Sequence, residues 1–172
     1  MDNNAVVTSS IIEDAFLISC LVIALQNVEQ AITRNPESDI FLDDCQDSIE
    51  TMLLKRLLAT AGMIRNIVFE RYPPETRDDE WRMLADRKVG LLLRDGRDDG
   101  LTFREACNKI LHHRSYAFPA SVSVVGLALQ DCAQFSGTQQ EREWHAILNL
   151  HQFASAAYFC ADIESRVESG RK

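Results

Sequence analysis

The sequence predicts a mainly α-helical domain: a helical bundle of about five helices with one antiparallel β-hairpin packed before the C-terminal helix. Three observations carry that expectation. Apolar residues recur at three- and four-residue steps through most of the chain. Two Ser/Thr-x-x-Glu capping boxes mark helix starts. Only the stretches 122–129 and 141–150 change to a β-branched or alternating pattern.

Ser10-Ile-Ile-Glu13 is the first capping box, in which hydroxyl and carboxylate satisfy helix-end amides reciprocally, and it opens a helix expected to reach about Ile32. From Ala15 to Leu25 the apolar residues cover nearly the whole circumference, as in a helix that is central or lies in a subunit interface. That run is shorter than the roughly 20 residues of a membrane span. Glu13, Asp14, Gln26 and Glu29 bracket it, so no membrane association is expected. Asn35-Pro-Glu-Ser breaks the helix, and a second begins near Asp43 or Asp44, whose carboxylates suit the positive end of the helix dipole. Cys45, Ile49, Met52, Leu53, Leu57, Ala61, Ile64 and Val68 give it one apolar face, expected to pack on the first helix as an antiparallel hairpin. It should run to about Arg71 and end at Tyr72-Pro-Pro-Glu.

A third helix is expected over 78–93, with Trp81, Leu84, Ala85, Leu91 and Leu92 at helical spacing. Gly90 would be its weak point, at a cost of about 1 kcal/mol relative to Ala. Asp95-Gly-Arg-Asp-Asp-Gly100 reads as a charged turn. It does not fit a calcium loop, because Arg97 stands where an oxygen donor is needed and Ala106 where the bidentate Glu belongs. Thr102-Phe-Arg-Glu105 is the second capping box, starting a helix to about Arg114 with the stripe Phe103, Ala106, Cys107, Ile110 and Leu111. Val122, Val124, Val125, Leu127 and Leu129 then read as one strand. Alternation through Arg142, Trp144, Ala146, Leu148 and Leu150 reads as a second. The two are expected to pair across Ser136-Gly-Thr-Gln-Gln140, with Gly126 a candidate bulge and Trp144 the anchor against the helices. The last helix is expected from His151 or Gln152 to Val167, with the ends 1–8 and 168–172 mobile.

A chain of 172 residues, 46% of them hydrophobic and with no Gly/Ser/Pro-rich linker, fits a single domain over 1–172. Five cysteines lie scattered in apolar segments with no CxxC pair, as reduced thiols in a cytoplasmic protein would. Met1-Asp-Asn-Asn lacks the basic start of a secretory signal. Four histidines form no HExxH motif, and no metal or other cofactor is expected. The net charge of −8 argues against a general nucleic-acid binder, whose affinity comes from Lys and Arg neutralising phosphates. It leaves room for a local basic site, because basic residues concentrate from Arg71 to Arg114.

The candidate chemistry lies in the 102–114 helix. Arg104, Asn108 and His112 follow at four-residue steps and line up as one ridge away from the apolar stripe. The ridge offers a fixed cation, an amide able to orient a phosphate or water, and an imidazole suited to general acid or base work. Lys109, His113 and Arg114 stand beside it as candidate substrate contacts. Arg104-Glu-Ala-Cys-Asn108-Lys-Ile-Leu-His112-His113 resembles the late helix of HEPN domains, helical modules of which many are metal-independent ribonucleases in toxin and phage-defence systems. The resemblance implies an RNA-directed protein acting as a homodimer, with His112, Asn108 and Arg104 as catalytic residues. In the family motif the arginine stands beside the polar residue. That place is held by Cys107, with Arg104 one turn earlier. Arg65-Asn66 in the second helix also looks like the start of the motif, with Glu70 where its histidine would stand. The other reading is a non-enzymatic acidic module that binds a basic protein partner, supported by the charge of −8 and the lack of a Gly-rich phosphate loop.

Overall fold

Helical periodicity is strongest at the N-terminal end of the chain, and there the computed structural model shows two long helices, α1 (Asn3–Arg34) and α2 (Ile40–Ile64). The structure describes residues 3–34, 40–69, 79–118, 121–124 and 127–170. The breaks expected at 35–38 and 72–75, Glu70, Arg71, Val125, Gly126 and the extreme ends lie outside them. On α1, Ile11, Ala15, Ile18, Val22 and Leu25 are buried, and on α2 Leu53, Leu57, Ala61 and Ile64. Their three- and four-residue spacing puts each set on one face. The helices run antiparallel, since Asp14 meets Arg56 and Thr60 while Glu29 lies near Glu50. The Asp14 carboxylate is buried in the seam, where it accepts hydrogen bonds from Arg56 Nη1 at 2.7 Å and Thr60 Oγ1 at 3.4 Å.

Both helix starts differ from expectation. α1 already includes residues 3–8, and Ser10 is no cap: its hydroxyl donates back to the Val6 carbonyl at 2.9 Å, as serines inside helices do. α2 starts three residues ahead of Asp43. Residues 6–34 are long and apolar enough to cross a membrane by length and composition. In the fold α1 is a core helix on one side, packed on α2 and on the last helix, while Ile12, Phe16 and Ile23 face solvent on the other.

Glu29 sits where α1 faces acidic neighbours. Burial, then Glu50 and Asp131, push its carboxyl pKa above the ordinary 4.5. A carboxyl raised in the folded state adds stability below its unfolded pKa, and that stability is lost as pH rises through the folded pKa. Glu29→Gln is therefore expected to melt higher than the wild type at pH 7. The gap should close below about pH 4.5, as thermal melts at the two pH values would show. A gap independent of pH would contradict this account.

Beyond α2 the fold departs from a helical bundle. The third helix, α3 (Asp79–Ala85), is short. The chain then forms β1 (Lys88–Arg94), β2 (Arg97–Thr102), α4 (Phe103–Leu111), β3 (Ser115–Ala117), β4 (Ser121–Val124), β5 (Leu127–Gln130), β6 (Cys132–Gln139), β7 (Arg142–Asn149) and α5 (Leu150–Glu168). Five strands make one antiparallel sheet in the order β2-β1-β7-β6-β3, and among the described residues β4 and β5 form a separate antiparallel pair. The architecture is mixed α/β, which corrects the expectation of a mainly α bundle with a single hairpin.

The reasons are local. Residues 88–94 were expected to continue a helix because Leu84, Ala85, Leu91 and Leu92 mimic its period, yet they form the strand β1, in which a register shift between Lys88 and Gly90 leaves both Val89 and Leu92 buried. The 142–149 strand forms as expected, but its partners are β1 and β6 rather than the 122–129 segment, which folds back on itself. β6 includes Ser136-Gly-Thr, expected to be a connection. Gly90 is a close-approach residue at a register shift in β1, not a weak point of a helix. A β-carbon there would run into the Ile147 carbonyl of β7.

Residues directly opposite across antiparallel strands share a face. Leu92, Ala146 and Phe135 are in register, as are Ala133 and Leu148, and this inner face joins the core with Phe103 of α4 and Phe153 of α5, whose rings lie 5.4 Å apart. The outer face has a smaller cluster, Cys132 and Ile147 with Leu91 and Leu93. Fully burying a Leu, Ile or Phe contributes about 1.5–3 kcal/mol, so the inner face is what holds α4 and α5 to the sheet.

Candidate functional site

The helix α4 is set by its ends and its stripe. Thr102 is the N-cap: its Oγ1 accepts the Glu105 backbone N–H at 3.2 Å, and the hydroxyl faces Glu105 Oε2 at 3.2 Å. Phe103, Ala106, Cys107 and Ile110 are buried and Leu111 is half-buried, as the stripe predicts. The last helical bond runs from His112 N–H to the Asn108 carbonyl at 3.0 Å, so the helix stops short of Arg114. His113 then turns inward. Its Nδ1 lies 2.6 Å from the Ile110 carbonyl, and its ring meets Phe135 and Tyr116 edge-on. Arg114 is exposed and its backbone N–H donates to the Ser136 carbonyl at 2.8 Å, leading into β3.

On its polar side α4 overlooks a cleft of about 630 Å³ lined by Glu105, Asn108, Lys109 and His112, by Arg94, Thr138, Gln139 and Trp144 of the sheet, and by Arg65. Arg65 opens a π-helical turn, Arg65–Phe69, that ends the second helix. Such turns are rare and concentrate at functional sites. Arg65 Nη1 lies 2.8 Å from His112 Nε2. A guanidinium only donates, so in this geometry the imidazole accepts through Nε2. Arg104, expected to complete the ridge, stands outside the cleft, exposed, with its guanidinium 5.4 Å from the Phe69 ring centre. The fold therefore brings Asn108 and His112 together with Arg65 instead of Arg104.

Lys109 is a buried tether. Its Nζ donates to Gln139 Oε1 at 3.0 Å and lies 4.4 Å from the Trp144 ring centre. Burial lowers its pKa, Glu105 pulls it partly back up, and Arg94 lowers it further. Gly137 makes room for this stack. A β-carbon there would stand 2.5 Å from Trp144 Cζ2 and 3.2 Å from the His112 carbonyl. Burial pushes the Cys107 and Cys160 thiols well above the ordinary range and Cys132 up to about 11, which disfavours the thiolate of these three. Among the described residues, no three His, Cys, Asp or Glu side chains are grouped to hold a metal ion.

Comparison with protein-family models, with curated proteins and with solved structures gave no match. Arg65 is the residue that sequence reasoning left out of the site. Its signal was the Arg65-Asn66 pair, but 47 residues separate it from His112 and no local pattern joins them.

Proposed function

We propose that the chain is a HEPN-like RNA-directed protein that cleaves phosphodiester bonds without a metal ion, with Arg65, Asn108 and His112 as its catalytic residues. The observation that carries this reading is the Arg65 guanidinium resting on His112 Nε2 at the mouth of a polar cleft that also holds Asn108. His112 Nε2 takes the proton of an RNA 2′-hydroxyl as that oxygen bonds to the adjacent phosphorus. The bond from phosphorus to the 5′-oxygen breaks, and the departing oxygen takes a proton from water. Arg65 moves from the imidazole to the phosphate, where its fork of donors stabilises the charge that builds on the free oxygens. The Asn108 amide orients the phosphate, and Lys109 with Trp144 holds the floor of the cleft. Arg65, Asn108 and His112 line this cleft within a single chain. The five-stranded sheet lies outside the HEPN resemblance, which bears on α4 and the Arg65 turn.

The test is incubation with a single-stranded RNA in excess EDTA, followed by analysis of the new ends. Products with 2′,3′-cyclic phosphate and 5′-hydroxyl ends are expected, and a 2′-deoxy residue at the scissile position should abolish cutting there. Absence of cutting, or 3′-hydroxyl and 5′-phosphate ends, would overturn the proposal. Intact RNA together with salt-sensitive binding to a basic protein would favour the acidic interaction module.

A further inference from the structure

We propose that a row of arginines at the hairpin end of the sheet is a second subsite, one that holds the backbone phosphates of the RNA strand flanking the bond at His112. The inference rests on the function proposed above and extends it to how the strand is held.

Two turns create the row. Asp95 and Gly96 have φ of 54° and 72°, and Gln140 and Glu141 have φ of 51° and 64°. Two-residue hairpin connections with both φ positive are the turns whose twist matches that of the flanking strands, and Asp-Gly is a favoured pair. Each turn locks the residues beside it into register, Arg94 with Arg97 and Gln139 with Arg142. Because β1 also pairs with β7, placing Arg94 opposite Trp144, the two turns lie side by side at one end of the sheet. By the alternation of strands, Arg94, Arg97, Arg142, Gln139 and Trp144 all share the face that carries α4.

That face forms a hollow of about 570 Å³, which shares Arg94, Gln139 and Trp144 with the His112 cleft. The residues lining the two together include Arg65, Arg94, Arg97, Lys109 and Arg142, against Asp95, Asp99 and Glu105. Basic side chains lead here, while the whole chain has 18 Lys and Arg to 26 Asp and Glu. Arg94 directly opposite Arg97 is a like-charge pair that costs the sheet stability. Neither has an ion-pair partner among the described residues. Arg142 is paired with Asp95 at 3.3 Å, but both are exposed, so a phosphate can displace the carboxylate at little cost. Trp144, the aromatic ring in the hollow, is only 2% exposed and cannot stack a base. The subsite therefore reads backbone charge and not sequence.

The experiment uses the Arg97→Gln/Arg142→Gln double variant, which leaves the His112 cleft intact, with melting curves to confirm that it folds. The probes are a fluorescent single-stranded RNA of about eight nucleotides and a dinucleoside monophosphate, too short to leave the cleft. For the longer strand the Kd is expected to rise about tenfold, and the slope of log Kd against log salt to fall by about one to two. Cleavage of the dinucleotide should match the wild type. An unchanged Kd and salt slope would overturn the subsite even if the wild type cleaves both probes. If the wild type binds the longer strand through these arginines but cuts nothing, the subsite stands and the catalytic reading falls. A wild type that binds neither probe overturns both.

Discussion

RNA cleavage by the His112→Ala variant is expected to fall about 10²- to 10⁴-fold, the range that loss of a general base costs, with no change in folding because the side chain is exposed. Arg65→Ala should lose about 10²- to 10³-fold, as removal of a charge-stabilising donor does. Arg65→Lys should recover only part of that, since an ammonium keeps the charge without the planar fork. Arg104→Ala should cleave like the wild type, because that guanidinium lies over Phe69 and not in the cleft. Single-turnover rates on one RNA would distinguish the trio built by the fold from the trio spaced along the helix. If Arg104→Ala is impaired while Arg65→Ala is not, the assignment of Arg65 is wrong. Arg65→Ala combined with His112→Ala should cost less than the product of the single effects, since the two groups act as a unit.

The largest loss of stability is expected from Trp144→Ala, about 3–5 kcal/mol for truncating a fully buried aromatic side chain. The indole is packed over Gly137, carries Lys109 on its face and lies under the C-terminal end of α4. Its removal leaves a cavity and an ammonium without its ring, so the polar wall of the cleft should loosen along with the core. Urea denaturation followed by the fluorescence of the remaining Trp81 would measure it. Trp144→Phe should lose markedly less, as it retains most of the volume. A loss under about 1 kcal/mol for the alanine variant would mean that the sheet and α4 do not depend on this contact.

How much could be read in advance differs element by element. The cap and stripe of α4 were legible because a Thr hydroxyl, a Glu three residues on and apolar residues at helical spacing interact within one or two turns. The alternation of 142–149 was legible for the same reason, since one buried face imposes a two-residue period. β6 was not: its inward residues are Ala133, Phe135 and Gly137, and small residues under Trp144 and α4 look like turn composition when the neighbour is unknown. β1 was hidden by leucines whose spacing satisfies either period. The Asp95-Gly96 dipeptide inside the stretch expected to be a charged turn is the local signal of the β1–β2 hairpin.

By itself the sequence determined the α1–α2 hairpin, the capped amphipathic helix α4, the polar ridge of Asn108 and His112, and the final helix, because caps and periodicity act over a few residues. Only the tertiary structure decided that a five-stranded sheet replaces most of the expected bundle. It also decided that Arg65 and not Arg104 meets His112, and that Arg94, Arg97 and Arg142 form one row. Those outcomes depend on strand register and on a contact spanning 47 residues. Such pairings follow from which faces find burial against each other, and apart from the Asp95-Gly96 turn between β1 and β2 no local pattern encodes them.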